Sequence, residues 1–240
     1  MRGELQFARE VQLSMLPEAP PSLAWVDIAG ISIPATEVGG DYFDYFPMGD
    51  KLAIVSGDVA GHGLASGIVL SALRAGFTLL RGELTNPGAV LRRLHDVVAQ
   101  ASRRRMLTTA TIVLFNRATG TATIANAGHP PIILRRADGT VVSIELFAPP
   151  LGVRLPVQVA ERKLPIASGD TFVVHSDGIY ESRNPAGDAF GLDALETLIA
   201  GIDPGASAEG IRDAILADIE RFRDGAPQED DVTLVVARIR

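Results

Sequence analysis

A chain of 240 residues, 47% of them hydrophobic and 21% charged, is long enough for one large domain with a sizeable core and marginal for two. With 24 glycines and 15 prolines it fits neither a fibrous nor a disordered class. The net charge of -7 argues against non-specific binding to nucleic acid, and the absence of cysteine excludes disulfides, thiolate catalysis and zinc–thiolate sites. No secretory signal is expected, and no apolar run approaches the roughly 20 residues of a membrane span. A cytoplasmic protein without a membrane or nucleic-acid partner is the expectation.

Residues 4–16 read as a short amphipathic helix, with Leu5, Ala8, Val11 and Met15 three and four apart, ended by Pro17. Such a helix pairs with a missing upstream partner or docks on its own domain, and the residues leave both open. Pro17 to Pro21 reads as a linker. The expected organisation is therefore a linker or dimerisation helix over 1–17 and one domain over 18–240. Strands are expected over Trp25 to Ile33, then over Tyr42 to Phe46 and Lys51 to Ser56, a hairpin about Met48-Gly49-Asp50. Helices are expected over 64–80 and from Asn86-Pro87, a cap followed by proline at the first helical position. His95 reads as a surface residue on or beside the polar face of that second helix. Arg92-Arg93 and Arg103-Arg104-Arg105 read as solvated flanks.

Further along, Met106 to Phe115 pairs with Thr121 to Asn126, and Ile132 to Arg135 with Thr140 to Ile144. Val157 to Leu164 and Thr171 to His175 are further strands, residues 191–200 and 207–223 helices, and Val232 to Ile239 the last strand. Strands in hairpin groups and helices in pairs favour an α+β domain with antiparallel sheets.

The placement of the aspartates carries the chemistry. Asp41 follows Gly39-Gly40 at a strand start; Asp58 ends the apolar run Leu52 to Gly57; Asp177 ends Phe172 to Ser176; Asp230 and Asp231 open Val232 to Ile239. Acids beside buried strand need a partner, and no Lys or Arg adjoins them closely in sequence. Two like charges about 4 Å apart cost roughly 4 kcal/mol at an effective dielectric near 20, which a divalent ion removes. An all-oxygen ligand set suits Mg²⁺ or Mn²⁺. Taken singly, each aspartate is more often a cap or turn residue than a ligand, and Asp44 and Asp50 are expected to be such residues.

Five segments occur in order: Glu37 to Asp44, Gly57-Asp58-Val59-Ala60-Gly61-His62-Gly63, Asn126-Ala127-Gly128-His129-Pro130-Pro131, Ser176-Asp177-Gly178-Ile179 and Glu229 to Leu234. Together they resemble the SpoIIE/RsbU branch of the PPM metal-dependent serine/threonine phosphatases, over nearly the whole chain. The resemblance implies a four-layer αββα sandwich with two central antiparallel sheets. It implies two Mn²⁺ or Mg²⁺ ions. Asp58 would bridge them, Asp41 and the Val59 carbonyl would complete one, and Asp177 and Asp230 the other. Asp231, where the wider family usually has asparagine, would be a helper or substitute ligand. It also implies a phosphoserine/phosphothreonine phosphatase acting on a phosphorylated STAS-type anti-anti-sigma protein, in stress-response and sigma-factor signalling. An upstream sensor or activator domain would control it, and the N-terminal helix would pair two chains.

Two departures stand out. Many relatives carry an arginine just before the first acidic ligand, whereas Pro34-Ala35-Thr36-Glu37 has none, so no substrate-binding residue is assigned. Val59-Ala60 interrupt the short Asp-Gly-His-Gly loop of the wider family, so His62 is expected to serve helix entry rather than to act as a general acid. His129 is expected to fix a turn, and His175 to be a satisfied strand residue. The alternative function is a pseudophosphatase that grips a phosphoprotein without turnover.

Overall fold

The computed structural model describes residues 2–36, 38–61, 63–103, 105–154 and 157–240. His62, Glu37 and Arg104, named above, lie outside the described residues. The chain divides into two compact units, each assembled from separated segments: Met1–Ala19, Thr36–His129 and Leu146–Pro165 in one, Pro20–Ala35, Pro130–Glu145 and Ile166–Arg240 in the other.

The first unit holds helix α1 (Arg2–Leu13), the hairpin β2 (Asp41–Met48) and β3 (Lys51–Val59), helices α2 (Leu64–Leu79) and α3 (Pro87–Ala101), and strands β4 (Thr108–Asn116), β5 (Thr121–Ala127) and β8 (Ala160–Pro165). Its five strands form one antiparallel sheet in the order β2-β3-β4-β5-β8. The β2–β3 turn closes on the pair Met48–Lys51, with Gly49 at φ +62, a left-handed position that glycine takes without strain. Alternate strand residues, among them Val55, Ile112 and Ala125, meet Leu70, Leu73 and Phe77 of α2 and Leu91 and Leu94 of α3 in one core. Asn86 caps α3 by accepting from the Ala89 N–H at 3.3 Å, and Pro87 opens it.

The second unit holds β1 (Val26–Ile33), β6 (Ile132–Arg135), β7 (Val141–Ile144), β9 (Thr171–His175), helices α4 (Asp177–Tyr180), α5 (Leu192–Gly201) and α6 (Ala208–Arg223), and β10 (Val232–Ile239). Its sheet is antiparallel, in the order β1-β10-β9-β6-β7. Ile211, Ile215 and Ile219, one turn apart on α6, pack with Val173, Leu234 and Val236. Ser207 caps α6 through the Gly210 N–H at 3.1 Å. Asp170 is fully buried and turns its carboxylate onto the amides of Ala137 and Ala167 and onto Arg136, fixing the loop before β9.

Several readings need correction. His95 is buried, and its Nδ1 faces the Gly152 N–H at 3.4 Å. The loop around Gly152 covers a part of α3 that helical periodicity alone assigns to solvent. Asp44 lies inside β2 rather than in a turn, where it accepts from the Tyr42 hydroxyl and the Tyr45 N–H, each at 2.7 Å. The strand expected over 157–164 begins only at Ala160. Among the described residues no helix is long and apolar enough to cross a membrane.

Candidate metal-binding residues

In the first unit, Asp41 and Asp58 stand directly opposite each other, because the β2–β3 register pairs them. Side chains of such a pair share one face, and like charges so placed repel. The backbone segments flanking the two acids approach closely there. The Val59 N–H donates to the Gly40 carbonyl at 3.0 Å, and a β-carbon on Gly40 would lie 2.6 Å from the Val59 carbonyl oxygen. The same point is 3.2 Å from Asp58 Oδ1 and 3.2 Å from the Gly61 carbonyl oxygen. One carboxylate and two carbonyl oxygens thus surround a small volume that any residue but glycine would fill. Asp41 is buried beside it.

Gln12 of α1 holds this turn from the other side. Its Nε2 donates to the Gly39 carbonyl, and its Oε1 accepts from the Gly39 N–H at 2.9 Å. Nothing in the sequence pattern marks Gln12. In the next motif, Asn126 accepts from the His129 N–H at 3.1 Å and donates to the carbonyls of His129 at 2.9 Å and Leu146 at 2.8 Å. Gly128, at φ +75, packs against Pro150. His129 sits within this turn, its Nδ1 at 2.9 Å from Thr109 Oγ1.

In the second unit, Asp177 opens α4 directly after β9. Burial pushes its carboxyl above the usual range, and the neighbouring charges of Asp230 and Glu181 push it further. The crossing beside it is stapled by Ser176. Ser176 Oγ donates to the Asp231 carbonyl at 3.1 Å and accepts from the Thr233 N–H at 2.9 Å. Asp231 is buried, and its Oδ1 accepts from the Ala35 N–H at 2.7 Å. Asp230 is exposed; its Oδ1 accepts from the Asp231 N–H at 2.8 Å, and its carbonyl from Gln228 Nε2 at 2.8 Å. The neighbouring His175 is fully buried, its Nδ1 facing the Ser176 carbonyl at 3.1 Å, and burial pushes its pKa down to about 4.

Asp41 and Asp58 thus lie together in one unit, and Asp177, Asp230 and Asp231 in the other. Among the described residues no three Asp, Glu or His side chains gather closely enough to hold an ion unaided. What the first unit offers is mixed: two carboxylates and the carbonyls of Val59 and Gly61. That all-oxygen set fits a hard divalent cation. In the second unit, the raised Asp177 carboxyl beside Asp230 fits the same kind of ion, whose charge would favour both ionised forms.

The sequence model of the family described as Stage II sporulation protein E (SpoIIE) matches residues 48–240, and the chain belongs to that family. Asp58, Asp177, Asp230 and Asp231 fall inside the matched stretch and Asp41 just before it. The chain is 28% identical over 188 residues to the phosphoserine phosphatase RsbU of Bacillus subtilis, covering 78% of the chain and 56% of RsbU. It is 27% identical over 264 residues to protein IcfG of Synechocystis sp., covering 98% of the chain and 41% of IcfG. It spans about half the length of these curated relatives. The solved SiaA-PP2C domain of Pseudomonas aeruginosa matches with a TM-score of 0.84 at 21% identity, covering 99% of the chain and 96% of that domain. This likeness shows the fold, an α+β sandwich of the PP2C type built on two antiparallel five-stranded sheets.

Proposed function

We propose that this chain is a metal-dependent protein-serine/threonine phosphatase, hydrolysing phosphoserine and phosphothreonine monoesters. The observation that carries this reading is the register pairing of Asp41 with Asp58, beside the oxygens gathered at Gly40. In this reading Asp41, Asp58 and the Val59 carbonyl would hold one divalent ion, and Asp177 and Asp230, with Asp58, would hold a second. Asp231, whose Oδ1 accepts from the Ala35 amide, would serve as a helper or substitute ligand. Two Mn²⁺ or Mg²⁺ ions would supply neutralisation of phosphate charge and a water acidic enough to attack at neutral pH.

The chain's own residues do the rest. Gly40 leaves the volume open; Gln12 and the Val59 N–H fix the turn that presents Asp41. Ser176 and Gln228 fix the backbone that presents Asp177 and Asp230. No side-chain nucleophile is required, in keeping with a chain that has no cysteine. The similarity to RsbU, a phosphoserine phosphatase, supports phosphoserine as the target. A phosphorylated STAS-type regulator as substrate, control by an upstream domain and action in the cytoplasm belong to the same proposal. The N-terminal helix leaves Phe7, Val11 and Leu13 exposed, which supports its pairing with a second chain.

The test is Mn²⁺-dependent hydrolysis of a chromogenic aryl phosphate and of a phosphoserine protein, with Asp58→Asn alongside. The expected result is activity with Mn²⁺ that is lost with chelator and in the variant. Phosphoprotein binding without hydrolysis would favour a pseudophosphatase instead.

A further inference from the structure

The ions proposed above would meet part of a substrate phosphate's charge, and a cationic side chain beside them would meet the rest. The second unit has a candidate. A cavity of about 160 Å³ opens beside Asp230, walled by Gly178, Glu181, Arg183, Arg223, Gln228 and Asp230. That space takes several water molecules, room enough for a phosphoryl group. It adjoins the acids assigned above to the second ion, and a phosphoryl dianion entering there meets the like charges of Asp230, Glu181 and Glu229, which also lines the cavity. An opposing guanidinium is what such a ligand requires.

The two arginines are not equivalent. Arg223 builds the wall. Its side chain is only 14% exposed, Nη1 pairs with Glu220 at 3.1 Å, and Nη2 donates to the Ala226 carbonyl at 2.9 Å. Arg183 is half-exposed, and among the described residues its one hydrogen bond runs from Nη1 to the Gly187 carbonyl at 2.8 Å. Its other contact is a long one, Nε to Glu229 at 3.7 Å, and Glu229 is itself 67% exposed. Exposed ion pairs of this length are weak and easily exchanged. The backbone of Arg183 is nonetheless fixed. It forms a bridge to Ala189, and the loop beyond is pinned by Asn184 Oδ1, which accepts from the N–H groups of Ala186 at 3.0 Å and Asp188 at 2.9 Å. A guanidinium offers five donors in a planar fork that matches phosphate oxygens in pairs.

We propose that Arg183 receives the phosphoryl group of the substrate, with the cavity beside Asp230 as the subsite for a phosphoserine or phosphothreonine side chain and Glu229 as the anion that occupies Arg183 in its absence. The proposal rests on the phosphatase reading above and supplies the substrate contact that reading lacks. The experiment uses the full chain with Mn²⁺ and compares wild type, Arg183→Ala, Arg183→Lys and Glu229→Gln. Two quantities are read: KM for a phosphoserine peptide, and the inhibition constant of inorganic phosphate against an aryl phosphate. Calorimetric Mn²⁺ affinity and thermal midpoint monitor the integrity of each variant. Arg183→Ala is expected to raise both constants about tenfold, the loss of one charge-assisted contact. Arg183→Lys should recover part of that loss, because an ammonium cannot bond in a fork, and Glu229→Gln should lower both constants. Unchanged constants in Arg183→Ala overturn the proposal. So does a rise for the peptide without a rise for inorganic phosphate, which places the arginine on a flanking acidic residue. A wild type without Mn²⁺-dependent hydrolysis sinks the phosphatase reading separately. Calorimetric binding of the phosphoserine peptide to wild type and Arg183→Ala then decides, equal affinity or no binding counting against Arg183.

Discussion

A β-carbon on Gly178 would lie 2.1 Å from the Asp231 carbonyl oxygen, far inside any tolerated contact, and that oxygen belongs to backbone. Gly178 therefore lets β10 pass against the start of α4, so that Asp177 and Asp230 can share a neighbourhood. Gly178→Ala should cost about 1–3 kcal/mol as overpacking, or more if the crossing cannot shift, measured by chemical denaturation. A midpoint equal to wild type would show that the backbone yields without cost. At this scale the sequence was partly legible. Acids at the ends of apolar strands could be picked out because charge beside buried strand is unusual. The partner that Asp231 takes could not, since it is the Ala35 amide, 196 residues away in the chain. His95 misled because a helical stripe records one buried face, whereas α3 is covered on a second by a loop. Arg183 had no signal at all, being an exposed arginine just before a turn.

Among elements, β3 and β9 were readable because continuous apolar runs four to eight residues long between turn signals have few alternatives. Helix α4 was not, since four residues leave no period to detect. The joining of α1 to the Gly39 turn was equally invisible, because a single glutamine 27 positions away makes it. That joint lets a displacement of α1 reach Asp41 through two hydrogen bonds and two glycines. Gln12→Ala should destabilise the first unit by about 1–2 kcal/mol, the usual net worth of two such bonds. It should also weaken Mn²⁺ affinity measured by calorimetry. A variant with wild-type Mn²⁺ affinity would mean that the turn holds its shape without α1. Helix α3 offers a simpler case: Asn86→Ala should cost about 1 kcal/mol in thermal or urea denaturation through the lost cap. No change would show that the Ala89 amide finds another acceptor.

For the molecule as a whole, pH sensitivity follows from His175. An unfolded histidine titrates near 6.5, whereas burial holds the folded His175 near 4. Between those values the unfolded state takes up a proton that the folded state refuses, so stability falls as pH drops below about 6.5. The loss from pH 7 to pH 5 should be about 2 kcal/mol in urea denaturation with chelator present. His175→Gln should remove most of that slope, and a variant with the wild-type slope would assign it to other groups.

The larger question at this scale is whether acids from the two units serve one metal centre. Each half is explained by its own sheet: Asp41 and Asp58 by strand register, Asp177 and Asp230 by the Ser176 staple. Their joint service is most directly tested by calorimetric titration with Mn²⁺ of wild type, Asp58→Asn, Asp177→Asn and the double variant. If they share a centre, each single change abolishes tight Mn²⁺ binding and the double variant is no worse than the weaker single one, because groups acting as a unit are not additive. A wild type that binds no Mn²⁺, or a single variant that binds it as well as wild type, would contradict the account.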